Sequence, residues 1–258
     1  MIRKTSCSIG GIGIAAIGVA AVAAPAFAGD TLTTLASFNG TNGAGPYSSA
    51  GLTLSGGTLY GTTERGGAGG YGTVFALPVT GGTPTTLASF NVTNGAWPDA
   101  GVTLSGGNLY GTTRQGGADG YGTVFSLPVA GGTPTTLATL NGSNDGAYPI
   151  AGVTVSGGTL YGTTWKGGAS GYGTVFSIPV TGGTPTALVT FNGSDGGYPQ
   201  AGLTLSGGTL YGTTDAGGAF GDGTVFAITI PEPASWALLA VSAAAGLLLL
   251  RRRRCTKV

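Results

Sequence analysis

Histidine is absent from all 258 residues, which removes two kinds of chemistry at once. No imidazole is available to activate a serine or cysteine nucleophile, and no metal can be held by imidazole nitrogen. The two cysteines, Cys7 and Cys255, lie at opposite ends of the chain, so the part between them has no thiol. Carboxylates remain: Asp30, Glu64, Asp99, Asp119, Asp145, Asp195, Asp215 and Asp222 lie between Gly29 and Ile230. A pair of them could serve a hydrolase that works with two carboxyl groups, but no pairing is legible in their spacing. The oxygen-rich stretch "NGSNDG" at Asn141 to Gly146 lacks the spaced carboxylates of a calcium loop, and Asx-turn chemistry explains it better. We therefore expect no catalytic residue, no metal ligand and no cofactor.

The remaining candidates are aromatic. Tyr47, Trp97, Tyr148 and Tyr198 each stand in or beside a proline-containing loop, and Trp165 lies in a loop of a second kind. Aromatic faces stack on apolar sugar CH surfaces, so these five residues form a candidate ligand face if one end of a rigid scaffold collects them. They could equally pack blade on blade.

That scaffold is visible as a repeat. "LYGTT" begins at Leu59, Leu109, Leu160 and Leu210, and "GTVF" at Gly72, Gly122, Gly173 and Gly223, both at spacings of 50, 51 and 50. A "G[LV]T[LV]SGG" unit begins at Gly51, Gly101, Gly152 and Gly202, and a "TLASF"-like unit at Thr34, Thr86, Thr136 and Ala187. Phe125, Leu127 and Val129 alternate with other residues, as do their counterparts in each copy, which is the period of a strand. "SGG" reads as a tight hairpin turn. Pro78, Pro128 and Pro179 fall at strand ends, where proline is tolerated. Helix signals are absent from Gly29 to Ile230.

Four strands in a repeat of about 50 residues predict a propeller blade, so the expected fold is an all-β propeller of four blades over residues 29–230. In the order A (GLTLS), B (LYGTT), C (GTVF) and D (TLASF), the chain starts at D and ends at C. Ring closure by Thr33 to Phe38, pairing beside Gly223 to Ile230, is the simplest expectation. Two chains sharing an eight-bladed ring, and an open β-array, are the alternatives. Charge follows the same plan. Between Gly29 and Ile230 eight acids face three bases, Arg65, Arg114 and Lys166, a net of −5. All but Asp30 fall in the B–C and D–A loops, which share one end of every blade. The absence of a Lys/Arg cluster argues against nucleic acid as a partner. The repeat "G[LV]T[LV]SGG-LYGTT-GG-G-GTVF", over about residues 31 to 230, resembles the GloVer tandem repeat of exported bacterial proteins.

The two ends read as addresses. Arg3 and Lys4 precede a small-residue apolar run and "AFA", the pattern of a secretory signal peptide over residues 1–28, cut between Ala28 and Gly29 with Ala26 and Ala28 as the small residues of the site. Residues 231–258 combine Pro231-Glu232-Pro233, an uncharged run at 234–250 and a basic tail at 251–258. The run would extend about 25 Å as a helix, the short end of a membrane span. Arg251, Arg252, Arg253 and Arg254 would cost about 2.5 to 3.5 kcal/mol each at mid-bilayer, so they halt translocation on the cytoplasmic side. This tripartite tail resembles the PEP-CTERM sorting signal. The resemblance implies recognition of Pro231-Glu232-Pro233 by an exosortase, a membrane transpeptidase-like enzyme. The protein would be anchored in the inner membrane by its helix until the tail is removed, then reside at the cell surface or in extracellular matrix.

The function expected on these grounds is non-catalytic: a surface or biofilm-matrix propeller that binds polysaccharide or protein. A purely structural matrix component and a polysaccharide-active enzyme are the alternatives. For processing, intact-mass measurement on surface material from exosortase-bearing cells should find a species cut after Ala28 and near Pro231 to Pro233. Recovery of only full-length chain ending in Val258 would refute that route.

Overall fold

The computed structural model describes residues 31–47 and 50–230. The expected signal peptide with its site at Ala26, Ala28 and Gly29, the Pro231-Glu232-Pro233 motif, the apolar run and Arg251 to Arg254 lie outside the described residues. Among those described there is no helix, and so none long and apolar enough to cross a membrane.

Each repeat folds as an antiparallel meander. The first blade runs β1 (Thr53–Ser55), β2 (Thr58–Thr63), β3 (Thr73–Pro78) and β4 (Thr85–Ser89). The second is β5 (Thr103–Ser105), β6 (Asn108–Thr113), β7 (Thr123–Pro128) and β8 (Thr135–Thr139), and the third β9 (Thr154–Ser156), β10 (Thr159–Thr164), β11 (Thr174–Pro179) and β12 (Thr186–Thr190). The fourth has three strands only, β13 (Thr204–Ser206), β14 (Thr209–Thr214) and β15 (Thr224–Thr229). Gly56 and Gly57, at φ 54° and 76°, make the two-residue turn that joins β1 to β2, a hairpin type that demands positive φ at both positions. The prolines of β3, β7 and β11 end those strands, and in each of the first three blades the pairing of C with D shifts register once, between Val74 and Phe75 in the first.

Alternation along these strands gives every sheet two apolar faces, and at three internal seams the facing blade covers them. Between the first and second, Val74, Ala88 and Phe90 meet Val102, Leu109, Phe125 and Leu127. The same set recurs as Tyr110, Val124 and Ala138 against Val153, Leu160, Phe176 and Ile178, and as Tyr161, Val175 and Phe191 against Leu203 and Leu210. An edge-to-face aromatic pair sits in two of these seams: Phe90 on Phe125 at 5.1 Å and Phe191 on Phe226 at 5.1 Å. In β6 the residue opposite Phe125 is Gly111, where a Cβ would stand 2.7 Å from the Phe125 ring. The invariant spelling "LYGTT" thus clears a seat for the ring.

Threonine hydroxyls stitch the seams and the loops. Thr62, Thr112 and Thr163 donate to the carbonyls of Ala100, Ala151 and Ala201 on the following blade, at 2.8, 2.9 and 3.1 Å. Within each blade the last threonine of B lies beside the first of C, as in Thr113 Oγ1 to Thr123 Oγ1 at 2.8 Å, and the B threonine also donates to the loop backbone, Thr113 to Gln115 O at 2.9 Å. These hydroxyls are buried, so water cannot replace them.

The expected closure is not formed. Residues Thr33 to Phe38 make no strand, and the fourth sheet stops at β15. The segment is held instead on the first blade: the Gly82 N–H donates to Leu35 O at 2.9 Å, and Phe38 meets Phe75 edge-to-face at 5.0 Å. These are the contacts that Leu87 and Phe90 make to the second blade, so the segment keeps the seam that follows it and lacks the strand that should precede it. Among the described residues the architecture is four blade-like sheets in series, with the first end face covered only in part by the D segment and the trailing face of the fourth exposed.

Thr113→Val should test the hydroxyl pairing. It removes the side-chain acceptor of the buried Thr123 N–H and one of the partners of the Gln115 carbonyl and of the Thr123 hydroxyl, and urea unfolding should report a loss of about 1–3 kcal/mol. The same change at exposed Thr93 serves as the control; equal effects at the two sites would refute the account.

Candidate functional site

The two loop sets that carry the charge are joined backbone to backbone. Each D–A loop bridges the B–C loop of the blade it enters: Ala44 to Arg65, Ala96 to Gln115, Ala147 to Lys166 and Gly197 to Ala216. One residue further on, the chain turns through positive φ, at Trp97 (57°), Tyr148 (57°) and Tyr198 (58°), with Gly45 (59°) in the first copy. A bulky residue there is uncommon and costs about 1–3 kcal/mol unless its surroundings hold it. They do: the Trp97, Tyr148 and Tyr198 N–H groups donate to the carbonyls of Tyr71, Tyr121 and Tyr172 at 2.9, 2.8 and 2.7 Å. Tyr148 also packs on Tyr121 at 5.7 Å and Tyr198 on Tyr172 at 5.4 Å.

The proline after each aromatic swings the chain inward, and the residue following that proline faces a shared space. A cavity of about 340 Å³ is lined by Tyr47, Asp99, Arg114, Ile150, Trp165 and Gln200. Asp99, Ile150 and Gln200 hold one position in three D–A loops; Arg114 and Trp165 hold one position in two B–C loops. Arg114 organises the polar side. Its guanidinium lies 3.1 Å from Asp99 Oδ2, 3.7 Å from Glu64 Oε1 and 5.1 Å from the centre of the Trp97 ring. Lys166 Nζ sits 4.0 Å over Trp165. Asp99 is buried, and loss of water pushes its carboxyl up to about 6, partly opposed by Arg114 and reinforced by Glu64. Among the described residues no group of His, Cys, Asp or Glu could hold a metal ion.

The sequence matches the Gloeobacter/Verrucomicrobia repeat family over residues 21–226. The chain belongs to that family. No curated protein matches it. Similar solved structures include a protein described as TolB from Agrobacterium tumefaciens (18% identity, TM-score 0.39, 61% of this chain and 50% of that one). TolB from Acinetobacter baumannii is another (15%, 0.43, 67% and 38%), as is a protein described as a 6-phosphogluconolactonase from Bacteroides uniformis (21%, 0.44, 70% and 53%). The chain thus spans about half of the length of these structures or less.

Within this Gloeobacter/Verrucomicrobia repeat protein the five expected aromatics divide. Tyr47 and Trp165 line the cavity; Trp97 backs Arg114; Tyr148 and Tyr198 pack on neighbouring tyrosines. The Asp99–Arg114–Glu64 group was visible in sequence only as scattered loop charges. Aligning the copies position by position puts Arg114 and Glu64 in one column, but only folding brings Asp99 to them. The Asn-rich loops form turns. Asn141 Oδ1 accepts from Ser143 N, Ser143 Oγ and Asn144 N, and Asp145 Oδ1 accepts from Asn141 N at 2.9 Å. Asn39 and Asn192 repeat the pattern with Thr41 and Ser194, which gives the N-x-[ST] spelling at Asn39, Asn141 and Asn192 a structural cause.

Asp99 makes stability depend on pH. Its folded value of about 6 lies above its ordinary 3.8, so the folded state binds the extra proton between them. Stability from this group is present below pH 4 and falls as pH rises through about 6. Chemical unfolding from pH 4 to 7 should therefore show the parent losing stability relative to Asp99→Asn, by about 1–3 kcal/mol. Parallel profiles for the two proteins would overturn this assignment.

Proposed function

We propose that this is an exported binding protein whose loop end takes a neutral polysaccharide, delivered by its signal peptide and released by an exosortase acting at Pro231 to Pro233. The observation that carries the binding part is the cavity at the loop end, where two aromatics, a fixed ion pair and an amide side chain come together from successive repeats. Trp165 and Tyr47 supply flat faces for sugar rings, while Gln200 and Arg114 supply directional hydrogen bonds to hydroxyls. Loops on a stiff scaffold hold such groups in place before the ligand arrives, which lowers the entropy cost of binding. The acidic balance of the loops disfavours an anionic polymer.

A second reading, a polysaccharide-active enzyme, rests on Asp99. A carboxyl held near pKa 6 in a cavity beside Glu64 has the protonation of a general acid. Arg114 lies between the two carboxyls and neutralises them, which favours binding over turnover.

Affinity electrophoresis in gels containing dextran, galactomannan or amylose separates the readings. The parent should be retarded by at least one polymer, and Trp165→Ala should weaken that retardation about tenfold or more with an unchanged melting temperature. Retardation by none of the three, or equal retardation of parent and variant, would sink the proposed site. Reducing-end release that disappears in Asp99→Asn would instead establish the enzyme.

A further inference from the structure

The three internal seams define what a complete blade-to-blade contact looks like, and the chain ends in its two separate halves. On the trailing side of a blade stand one tyrosine of B, one valine of C and the D strand. On the leading side stand the A, B and C residues that cover them. In the internal seams these residues are buried: Val74, Val124 and Val175 are fully covered, and Val102, Val153 and Leu203 nearly so. At the fourth blade the trailing residues are bare, with Val225 80% and Tyr211 44% exposed. At the first blade the leading residues of strand A are bare, with Leu54 62% and Leu52 56% exposed, whereas Phe75 and Leu77 beside the D segment are buried. Thr213 is exposed too, whereas Thr62, Thr112 and Thr163 are buried and donate to the next blade.

The two bare faces complement one another in strands as well as in side chains. Leu35, Ala36 and Phe38 lie with Leu52, Leu59, Phe75 and Leu77 around an apolar hollow of about 330 Å³ on the first blade. This D segment is already seated as Leu87, Ala88 and Phe90 are seated on the second blade, through the Gly82 N–H and the Phe75 ring. The first blade therefore carries the D segment of a preceding blade whose A, B and C strands are absent among the described residues. The fourth blade consists of A, B and C and ends in the unpaired edge of β15. What fits the first blade is a sheet of the fourth blade's composition, and what fits the fourth is a first blade with its D segment.

We propose that the occupant is a second copy of this chain, docked head to tail, with Leu35 to Phe38 of each copy completing the fourth sheet of the other beside β15. Two copies contribute eight blades, a size at which propellers close, and each copy uses both faces once. Strand addition satisfies the open N–H and C=O groups of the β15 edge, which otherwise invite uncontrolled pairing. Residues already proven in three internal seams make the contact, so no new surface chemistry is needed. Closure within one chain would use the same residues and yield a monomer.

Sedimentation equilibrium of the full-length chain in a density-matched non-ionic detergent tests this. The protein component should weigh twice 24.9 kDa at micromolar concentration. Val225→Asp, which spoils the trailing face, and Leu54→Asp, which spoils the leading face, should each give monomers with circular-dichroism melts near the parent's, since both side chains are exposed in the single chain. Mixing the two variants should restore dimers, because one seam then joins two intact faces. A parent that stays monomeric, or variants that remain apart on mixing, would overturn the proposal.

Discussion

A short-stranded sheet built from glycine, threonine and a few large apolar side chains has two greasy faces and no helix to cover either. Each blade must therefore find its cover in another blade, and nearly every other feature follows from that dependence. The large residues are spent on the seams: one phenylalanine per C strand, one leucine per B strand, and a D-strand aromatic or leucine set against the phenylalanine of the next blade. The glycine opposite each phenylalanine leaves room for the ring, and the threonines that are not apolar enough to drive burial supply hydroxyls that satisfy the backbone there. A sequence with 41% hydrophobic and 7% charged residues can fold on these terms because few side chains need to reach water.

The same dependence explains why charge and variation collect at one end. Two-residue turns at positive φ call for glycine, so the charged residues fall in the B–C and D–A loops. Those loops are not loose. Backbone bridges join them in pairs, and the buried threonine pairs anchor their roots. Rigid loops let the sequence place one unusual group per blade without disturbing the sheets. Arg114, Asp99 and Glu64 come from three different loops, yet they meet because each loop is fixed to its own sheet. Burying Asp99 carries a stability cost above pH 6, offset in part by the Arg114 guanidinium beside it.

Uncovered ends are the unresolved demand of such an array. The first and fourth blades carry the same residues as the internal ones, so their exposed leucines, tyrosine and valine are not adapted to water. A solenoid with free ends normally caps them with polar residues. Among the described residues no such cap is present, and the lone D segment sits on the face where a preceding blade belongs.

Much of the fold was legible in sequence for a definite reason. Strand period, glycine turns and the spacing of about 50 residues are local properties repeated four times, so "LYGTT" and "GTVF" by themselves disclose strands β2 and β3 and the faces they present. Proline at the end of the C strand and the sorting of charge into loops were legible in the same way. The resting place of Thr33 to Phe38 was not: its pattern declares a D strand, but whether a sheet closes on it depends on how far successive blades turn, which is a property of the seams and not of the segment. The site was half legible as well. The aromatic column Trp97, Tyr148 and Tyr198 stands out by residue type, yet after its positive-φ turn Tyr148 and Tyr198 pack on neighbouring tyrosines and Trp97 on Arg114, and the position two residues later lines the cavity. Asp99 is one carboxylate among eight on paper, and only the tertiary structure, by taking it out of water beside Arg114, sets it apart.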